Sequence, residues 1–463
     1  MMTEKQIQWP AAFIERIKLQ FPDSFDLLIN ALSNEVKTSI RINPRKFNLP
    51  VCSESVPWCK NGYFLEKRPS FALDPLWHAG SYYVQESSSM FLEQVFRQIK
   101  TEQPKLVLDL CAAPGGKSTH LLSLLNKDDL LISNEVIRTR ASILRENITK
   151  WGMSNVIISN SDGKSFGKAG PLFDVILIDA PCSGEGLFRR NPKAADEWSI
   201  DNTKLCTERQ RRILSDSIPC LKENGYLIYS TCTFNPSEDE ENISWLHENE
   251  GYNSIRIPLI PSWNIEETYY NDCWGYRFLP QKTKGEGFFI SLLQKEEKTG
   301  FVRFPKKFKT ELQPPSPFPK EWLLNSESKK IYQEKTQVKF IPSLWEKEIF
   351  YLSEKVNCIK TGTVIGNDIH KKVMPDPEFA FSEDINTEAF PSLTLSRDDA
   401  LNYLGHREFH PNLSSKGWQL MLYDKIPLGF IKDIGKRYNN YYPVKWRLRL
   451  QNYTPDKLWY ETE

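Results

Sequence analysis

The chain of 463 residues is too long for a single hydrophobic core, and its length predicts two or three folded domains. Hydrophobic residues make up 40% and aromatic residues 12% of the sequence, which excludes an intrinsically disordered chain. The formal net charge of +1 excludes a basic field over the whole molecule, so any surface for nucleic acid must be local.

The cysteine and histidine content argues against disulfides and metals. Nine cysteines and six histidines form neither a disulfide framework nor a set with zinc-ligand spacing, so we expect reduced thiols and no metal. The N-terminus has no apolar signal core, and no later stretch reaches transmembrane length. We therefore expect a cytoplasmic protein without membrane contact.

The first hundred residues predict a small α/β region. Phe13, Ile17 and Phe21 recur at helical spacing, and residues 38–45 predict a short strand that ends at a proline turn. We expect the basic residues of this strand and turn to be solvated surface charges rather than RNA contacts. They are Arg41, Arg45 and Lys46.

From about Lys105, short apolar strands alternate with helices. Strands this apolar, separated by helices, predict a mainly parallel sheet that is covered on both faces. Residues 288–293 predict an additional edge strand. The predicted strands are 105–110, 130–135, 156–159, 174–179 and 225–230, and the main helices are 138–150 and 203–221.

The remaining sequence begins with a proline-rich stretch. Residues 312–319 contain four prolines and predict a stiff linker. Beyond it the pattern is more typical of strands, with a hairpin that turns at Asp424 and Lys425. Residues 431–449 are the most basic aromatic stretch of the chain, and we expect an RNA grip there or, alternatively, a solvated basic face.

A glycine-containing turn follows the first strand of the predicted parallel sheet, in residues 109–117 (DLCAAPGGK). Backbone amides at the start of the next helix can bind a ligand, and the two glycines permit its close approach. Glu135 and Asp162 follow the next two strands, at the edge where such sheets bind ligands. Glu135 can accept hydrogen bonds from the ribose hydroxyls of an adenosyl ligand, and Asp162 can meet its adenine amino group.

This turn has two other interpretations. Its last residues resemble a phosphate-binding P-loop, but that motif requires glycine at the position of Cys111. A strand, turn and helix without any ligand is the second alternative.

Two cysteines follow the fourth and fifth predicted strands. Cys182 lies in residues 179–186 (DAPCSGEG), and Cys232 lies in residues 230–233 (STCT). Because the carboxyl ends of parallel strands meet at one edge of a sheet, we expect both thiols near the same crevice. Two soft nucleophiles beside a nucleotide-type pocket favour covalent chemistry on an electron-poor ring, whereas buried structural thiols are the alternative.

The segment after Cys232 predicts the start of a helix. Asn235 suits the cap position, Pro236 suits the first turn, and Glu238 has the spacing of a capping box. The acidic run 238–241 would repel a thiolate at Cys232.

Taken in order, these motifs resemble the Sun (Fmu, Nop/Nol-type) family of RNA cytosine-C5 methyltransferases. Residues 83–90 (YVQESSSM) are similar to the family's opening motif, and the resemblance covers about residues 30–296. The tail, with residues 427–430 (PLGF) and 440–443 (NYYP), resembles the PUA-like RNA-binding end of the longer, RsmF-type bacterial members.

The resemblance implies an α/β fold with a Rossmann-like class I methyltransferase domain and a mainly parallel sheet. It also implies a small N-terminal α/β RNA-binding region and a C-terminal α+β or β PUA-like domain. The predicted boundaries are 1–100 for the N-terminal RNA-binding region, 101–296 for the methyltransferase domain, 297–320 for the proline-rich linker, 321–385 for an intermediate domain and 386–463 for the PUA-like domain.

The resemblance further implies S-adenosyl-L-methionine as the cofactor. Glu135 would hold its ribose, Asp162 its adenine, and Asp179 would lie beside the methyl donor and the base. Cys232 would be the nucleophile, and Cys182 would help to release the product. The turn that would hold the cofactor comprises Cys111, Ala112, Ala113, Pro114, Gly115, Gly116 and Lys117.

We therefore expect a monomeric enzyme that forms 5-methylcytosine in structured RNA, namely small-subunit ribosomal RNA. Its partner would be ribosomal RNA or the small ribosomal subunit. A transfer RNA target is the first alternative, and a non-catalytic RNA-binding assembly factor is the second, although such a factor would need neither thiol. Enzymes that methylate exocyclic amines use an Asp/Asn-Pro-Pro-aromatic motif, and residues 179–182 (DAPC) depart from it.

Overall fold

Four β-sheets organise the part of the chain that the structure describes. The structure is a computed structural model, and it describes residues 9–47, 53–101, 103–308, 313–413, 415–450 and 457–460. Among these residues, no helix combines the length and the apolar character needed to cross a membrane.

The N-terminal region combines helices with a small antiparallel sheet. Phe13 and Ile17, which were predicted to share a helix face, are buried against Phe188 and Trp198 of the next region. The strands pair in the order β2-β3-β1-β4. The elements are α1 (Ala11–Gln20), α2 (Phe25–Ser33), β1 (Ser39–Ile42), β2 (Glu54–Ser55), β3 (Gly62–Phe64), α3 (Pro75–His78), β4 (Tyr82–Val84) and α4 (Leu92–Phe96).

The basic residues of β1 and its turn are not simple solvated charges. Arg41 is buried and donates a hydrogen bond to Thr119 Oγ1 at 2.6 Å. Lys46 is also buried and donates to the carbonyl oxygen of Lys150 at 2.6 Å. The expectation of surface charges is therefore wrong for these two residues, which tie the N-terminal sheet to later helices. Arg45 remains substantially exposed.

The central region alternates strands and helices, as its sequence predicts. Its parallel strands are almost wholly apolar because helices cover both faces of the sheet. The elements are β5 (Leu106–Asp109), α5 (Gly116–Leu124), β6 (Leu130–Asn134), α6 (Arg138–Trp151), β7 (Val156–Ser159), α7 (Gly163–Gly167), β8 (Phe173–Asp179), α8 (Lys193–Glu197), α9 (Ile200–Ser217), β9 (Leu221–Thr231), α10 (Glu240–Glu250), β10 (Tyr252–Ser254), β11 (Glu266–Tyr270), β12 (Cys273–Phe278) and β13 (Phe288–Lys295).

The order of the central strands creates a binding crevice. The chain runs from β5 through β6 to β7 on one side, and then returns to place β8 and β9 on the other side of β5. This reversal is a topological switch point, where ligands of open α/β sheets bind outside the carboxyl ends of the strands. The turn after β5 and the loops after β8 and β9 all leave the sheet at this edge.

Two sequence expectations for this region need correction. β13 is a strand, as predicted, but it is not an edge strand, because it pairs with β9 on one side and with β12 on the other. Helix α9 begins at Ile200 rather than at Thr203, because the Ser199 hydroxyl caps it by accepting from the Asn202 amide. It ends at Ser217, shortly before Pro219 would interrupt it.

The C-terminal half adds two further four-stranded sheets. The first has the order β14-β15-β17-β18, and the second has the order β19-β20-β21-β22. The elements are β14 (Lys329–Glu334), β15 (Gln337–Pro342), α11 (Glu346–Ser353), β16 (Cys358–Lys360), β17 (Thr363–Ile369), β18 (Lys372–Pro375), β19 (Ser392–Thr394), α12 (Arg397–Leu404), β20 (Gly417–Tyr423), β21 (Ile426–Asp433) and β22 (Tyr438–Asn440).

The predicted hairpin is confirmed. β20 and β21 pair antiparallel, and Asp424 and Lys425 turn between them with φ of +45° and +66°. Two consecutive positive φ angles are typical of the tight turns that match the twist of a hairpin. Leu312 of the predicted linker lies outside the described residues, while 314–319 form neither helix nor strand.

Strand β16 links the C-terminal half to the central sheet. It pairs antiparallel with β7, although its residues fall within the predicted intermediate domain. Helix α11 packs into the same core as the central strands, through Ile349 and Phe350. The central sheet is therefore completed by residues that follow the proline-rich stretch.

Candidate active site

The thiols of Cys182 and Cys232 meet at the switch point of the central sheet. Their Sγ atoms lie 3.0 Å apart, and the Cys232 amide donates to Cys182 Sγ at 3.3 Å. Both cysteines are free and half-buried. The register of the sheet explains this meeting, because Asp179 at the end of β8 lies opposite Ser230 on β9. The loops that follow these two residues therefore start side by side, as the sequence predicted.

An ion pair borders the thiols. Lys117 Nζ lies 2.8 Å from Asp179 Oδ2, and Ser230 Oγ donates to Asp179 Oδ1 at 2.8 Å. The Lys117 ammonium also lies 5.0 Å from the ring centroid of Phe288. The turn after β5, the end of β8 and the end of β9 thus contribute one side chain each to a single charged cluster.

Electrostatic interactions at this site act on the Cys182 thiol and on the Lys117 ammonium. The hydrogen bond to Cys232, together with burial, raises the pKa of Cys182 well above its ordinary value, so Cys182 is a neutral thiol that can donate to its neighbour. Burial alone would lower the pKa of Lys117, but the Asp179 carboxylate outweighs burial and raises it. Cys232 lies within Coulombic reach of this permanently charged ammonium.

A buried carboxylate holds the loop that carries Cys182. Glu238 Oε1 accepts from the Ser183 amide at 2.9 Å and from Gln210 Nε2 at 3.0 Å, while Oε2 accepts from Ser183 Oγ at 2.5 Å. The predicted capping box is therefore wrong, since Glu238 reaches across to this loop and α10 begins only at Glu240. Burial raises the pKa of Glu238 to about 7.

A second set of contacts, which no local sequence pattern predicts, anchors the loop after Cys232. Arg277 on β12 is buried, donates to the Phe234 carbonyl at 2.7 Å and to Glu240 Oε1 at 2.7 Å, and lies 3.6 Å from Asp239. These partners are distant in sequence, so no local pattern could have revealed them. The acidic run therefore serves partly as ligands for one buried arginine and not only as a source of repulsion.

The turn after β5 leads directly into the start of α5. Gly115 has φ of +117°, a conformation that favours glycine, and α5 starts directly after it. The first amides of a helix have no acceptor within the helix and can bind an anionic group. The Ala112 amide is not available to a ligand, because it donates to the Asn134 carbonyl at 2.8 Å.

Glu135 and Asp162 lie at the ends of the neighbouring strands, as predicted. Glu135 is buried, and its Oε1 accepts from the Ile137 amide at 2.9 Å. Asp162 is exposed, and its Oδ1 caps α7 by accepting from the Lys164 amide at 2.9 Å. Asn134, which the sequence motifs did not single out, precedes Glu135 at the end of β6. Its side-chain amide donates to the carbonyl oxygens of Leu110, in the turn after β5, and Ser161, beside Asp162.

The residues around the turn fit an adenosyl ligand with an amino-acid end. Asp109 is fully buried, and its Oδ1 has no hydrogen-bond partner among the described residues, so an acceptor is left open behind the turn. Burial raises the pKa of Asp109 to about 7. Burial and neighbouring carboxylates also raise the pKa of the Cys111 thiol, which leaves Cys111 unsuited to act as a third nucleophile.

In the basic aromatic stretch, residues 431–449, the aromatic rings and the basic side chains differ in their surroundings. Tyr442 is buried, Tyr438 donates to the Phe409 carbonyl, and Tyr441 packs on Trp418. The rings therefore pack within the domain rather than stand free. Most of the cations are exposed, namely Lys436, Arg437, Lys445, Arg447 and Arg449.

The fold and this site together define the class of the protein. A parallel sheet with a reversed strand order, the glycine turn after its central strand and an antiparallel β13 inserted beside β9 form a class I methyltransferase. The two adjacent thiols after β8 and β9 are an additional feature, because a class I methyltransferase does not need them to bind its cofactor.

Three family models match the chain. The model of the 16S rRNA methyltransferase RsmB/F matches residues 97–294, the N-terminal domain of 16S rRNA methyltransferase RsmF matches 9–87, and the RsmF PUA domain matches 390–448. The chain belongs to the RsmB/F family of 16S rRNA methyltransferases, and it is an RNA methyltransferase with a PUA domain.

Relatives with the same architecture align along nearly the whole chain. The ribosomal RNA small subunit methyltransferase F of Enterobacter sp. (strain 638) is 29% identical over 476 residues, which cover 96% of each chain. The protein of the same name from Salmonella agona (strain SL483) is 29% identical and covers 96% of this chain and 97% of its own.

Solved structures match the fold over part of the chain. A methyltransferase homolog from Pyrococcus horikoshii is 26% identical with a TM-score of 0.54, and the alignment covers 62% of this chain and 96% of that chain. NSun6 from the same organism, solved with SFG, is 20% identical with a TM-score of 0.53 and shows the shared fold over 62% of this chain and 99% of its own.

Proposed function

We propose that this protein transfers a methyl group from S-adenosyl-L-methionine to carbon 5 of a cytosine in small-subunit ribosomal RNA, through a covalent bond between Cys232 and carbon 6. The observation that carries the proposal is the pair of free thiols, 3.0 Å apart, beside the Lys117–Asp179 ion pair. Neither a transfer RNA target nor a purely binding role has an observation that favours it.

Cys232 is the nucleophile in this proposal because it lies within Coulombic reach of the Lys117 ammonium and has the Cys182 thiol beside it. Carbon 5 of cytosine is a poor nucleophile, and attack of the thiolate on carbon 6 forms the S–C6 bond and moves an electron pair onto carbon 5. When bound, S-adenosyl-L-methionine would supply an electrophilic methyl group to carbon 5, and its sulfur would keep the electron pair of the broken S–CH3 bond as a neutral thioether. The intermediate then needs to lose the carbon-5 proton and the sulfur.

Cys182 assists the release of the product. A base removes the carbon-5 proton, the C5=C6 double bond forms again, and the S–C6 bond breaks with its electron pair returning to Cys232. The neutral Cys182 thiol lies at hydrogen-bond distance from Cys232 Sγ and can stabilise the departing thiolate. In the proposal, Asp179 hydrogen bonds the N3 and amino edge of the base when the ring carries extra charge.

The cofactor is held at the turn in this proposal. The amides of Gly115, Gly116 and Lys117 receive its amino-acid end, Asp109 Oδ1 accepts from its ammonium, and Glu135 takes the ribose hydroxyls. Asp162 meets the adenine. The support is the open hydrogen-bonding capacity at the turn and the position of both acids at successive strand ends.

The substrate assignment is supported by the family and by the relatives named ribosomal RNA small subunit methyltransferase F. We propose that the enzyme acts in the cytoplasm, where ribosomal RNA is found, and that it acts as a monomer.

The proposal is tested by methylation of small-subunit ribosomal RNA from a strain that lacks the gene. Wild-type protein with radioactive S-adenosyl-L-methionine should label this RNA, and bisulfite sequencing should show one protected cytosine that is unprotected in the deletion strain. The variant Cys232→Ala should give no label while it binds the cofactor normally. Label at an adenine or on transfer RNA alone would contradict the substrate and the base that we propose.

A further inference from the structure

Glu185, three residues after Cys182, connects the two thiol loops with the N-terminal region. Its side chain is fully buried, and its Oε2 accepts from the Phe234 amide at 3.1 Å, two residues after Cys232. Its Oε1 accepts from Arg16 Nη2 at 2.6 Å. Arg16 lies on α1, so a single carboxylate bonds to the loop after Cys232 and to a helix outside the central region.

Helix α1 makes a second polar contact, directly to the loop after Cys232. Gln20 Nε2 donates to the Phe234 carbonyl at 2.8 Å, and Gln20 Oε1 accepts from Arg16 Nη1 at 2.7 Å. The two thiol loops are also bonded to each other here, because the Gly186 amide donates to the Cys232 carbonyl at 2.9 Å. Arg16 and Gln20 therefore contact the thiol loops at the place where the loops meet.

The Arg16 guanidinium is held by these contacts rather than free for another partner. It lies 5.6 Å from the Phe13 ring centroid, and its side chain is only 23% exposed. A carboxylate that is removed from water requires a cation or hydrogen-bond donors beside it, and Arg16 supplies both to Glu185. These contacts favour an anchor for Glu185 over a cation that binds an RNA phosphate.

An apolar cluster seats α1 against both thiol loops. The Phe13 ring packs edge-on against Phe188, with ring centroids 5.3 Å apart, and against Trp198 at 5.6 Å. Phe234 belongs to the same buried cluster. Trp198 Nε1 also donates to Glu185 Oε1 at 2.9 Å, so the apolar contacts and the ion pair share one interface.

The loop that carries Cys182 is tied to the N-terminal region at a second place. Arg189 donates to the carbonyl oxygens of Asn34 and Glu35, at 3.0 and 2.9 Å, directly after α2. It also donates to the Gly285 carbonyl at 2.8 Å. The N-terminal region therefore holds this loop both at its middle and at its end.

We infer that Arg16 and Gln20 are positioning residues for methyl transfer, and that α1 completes the active site by fixing both thiol loops. Arg16 acts through Glu185, and Gln20 acts through the Phe234 carbonyl. Catalytic groups lose rate when they are displaced by about 1 Å, so the anchors of these loops bear on the chemical step. The inference rests on the proposed function, since it assigns further residues to the same reaction.

The test measures methylation of small-subunit ribosomal RNA from the deletion strain by Arg16→Met, Arg16→Lys and Gln20→Ala. Arg16→Met keeps the length of the side chain but removes its charge, and it should lower kcat by at least about tenfold, with KM for RNA and cofactor affinity unchanged. Arg16→Lys keeps a cation beside Glu185 and should recover most of kcat. Gln20→Ala should lower kcat by about threefold, since it removes one hydrogen bond.

Lys18→Met is the matched control, because Lys18 is an exposed cation on the same helix, with its ammonium over the Phe25 ring. It should retain the wild-type kcat. Circular dichroism melts set an assay temperature at which each variant is folded. If Arg16→Met is unfolded, the double variant Arg16→Met, Glu185→Gln replaces it, because this variant has no unpaired buried charge and should show the same loss of kcat.

Gln20→Ala gives a second safeguard against a loss that reflects unfolding. The Phe234 carbonyl still accepts from Arg277 Nη1 at 2.7 Å, so this variant leaves that carbonyl paired and should melt as the wild type does.

Amide hydrogen exchange gives a readout that does not depend on methylation. Peptides that contain Gly186 and Phe234 should exchange faster in Arg16→Met than in wild type or Lys18→Met, while β5 and β6 keep their protection. Exchange and kcat equal to wild type in both Arg16→Met and Gln20→Ala would overturn the inference. A change confined to KM for RNA would also overturn it, because α1 would then be an RNA contact. The expected exchange in a wild-type protein that does not methylate this RNA would contradict the proposed function alone.

Discussion

Glu238 and Ser183 join the two loops that carry the thiols. The Glu238 carboxylate accepts from both the amide and the hydroxyl of Ser183, at 2.9 and 2.5 Å. Ser183 directly follows Cys182, and Glu238 belongs to the segment after Cys232. This contact therefore fixes the distance between the two sulfur atoms, although neither residue touches the base in the proposed reaction.

Removal of this carboxylate should disturb the thiol geometry. Glu238→Ala leaves the Ser183 amide and Gln210 without their shared acceptor, so we expect kcat to fall by at least about tenfold, because catalytic groups tolerate little displacement. Rapid-quench methylation assays measure this loss. Glu241→Ala is the control, since Glu241 is exposed in the same acidic run. Equal activity of the two variants would contradict a positioning role for Glu238.

The same carboxyl group predicts a pH dependence of stability. Burial raises the pKa of Glu238 from 4.5 to about 7, so the folded protein holds this proton more tightly than the unfolded chain. Its contribution to stability is fully present below about pH 4.5 and is lost as the pH rises through about 7, by about 3 kcal/mol in total. The difference in melting temperature between wild type and Glu238→Gln should therefore shift against the wild type from pH 5 to pH 8. A difference that does not change with pH would show that the carboxyl is ionised throughout.

Much of this architecture could be predicted from local sequence. Apolar runs such as 174–179 and 225–230 identify buried parallel strands, and the rule that ligands bind at their carboxyl ends then brings Cys182 and Cys232 together. The hairpin at Asp424 and Lys425 followed from turn-forming residues between two apolar runs. These features depend on hydrophobic periodicity and on the positions of strand ends, which can be recognised in the sequence alone.

Other features depend on partners far away in the sequence. Arg41 looked like a surface charge because nothing near it is acidic, yet its partners are Gln85 and Thr119. Arg277 binds Glu240, and β16 joins the central sheet from beyond the proline-rich stretch. Such pairings satisfy buried charges and backbone groups only in the folded state, so periodicity and composition could not show them.

Cofactor binding gives a further prediction. Glu135→Ala removes the carboxylate that would hold the ribose, and loss of a charge-assisted hydrogen bond of about 1.5–3 kcal/mol should weaken S-adenosyl-L-methionine binding by roughly ten- to a hundredfold. Isothermal titration calorimetry measures the affinity of each variant for S-adenosyl-L-methionine. Glu208→Ala, an exposed carboxylate on α9, should bind normally. Unchanged affinity in Glu135→Ala would mean that another group holds the ribose.

The C-terminal cations predict a salt-dependent contribution to RNA binding. Lys436 and Arg437 are exposed beside β22, so the double variant Lys436→Ala, Arg437→Ala should weaken RNA binding and lower its salt slope by about two. Point substitutions are preferable to removal of everything after Pro314, because that truncation would also remove β16 and the α11 side chains from the central core. Filter binding at several salt concentrations gives the slope, and a slope equal to wild type would exclude these two cations from the interface.

The central claim is that Cys232 forms the bond to RNA and Cys182 helps to break it. The most direct measurement is denaturing gel electrophoresis of protein mixed with small-subunit ribosomal RNA and S-adenosyl-L-methionine. Cys182→Ala should accumulate a slowly migrating, denaturant-resistant protein–RNA band, because attack proceeds while release is slow. The band should be absent from the double variant Cys182→Ala, Cys232→Ala. A covalent band in Cys232→Ala, or none in Cys182→Ala under conditions where wild type methylates the RNA, would contradict the assignment.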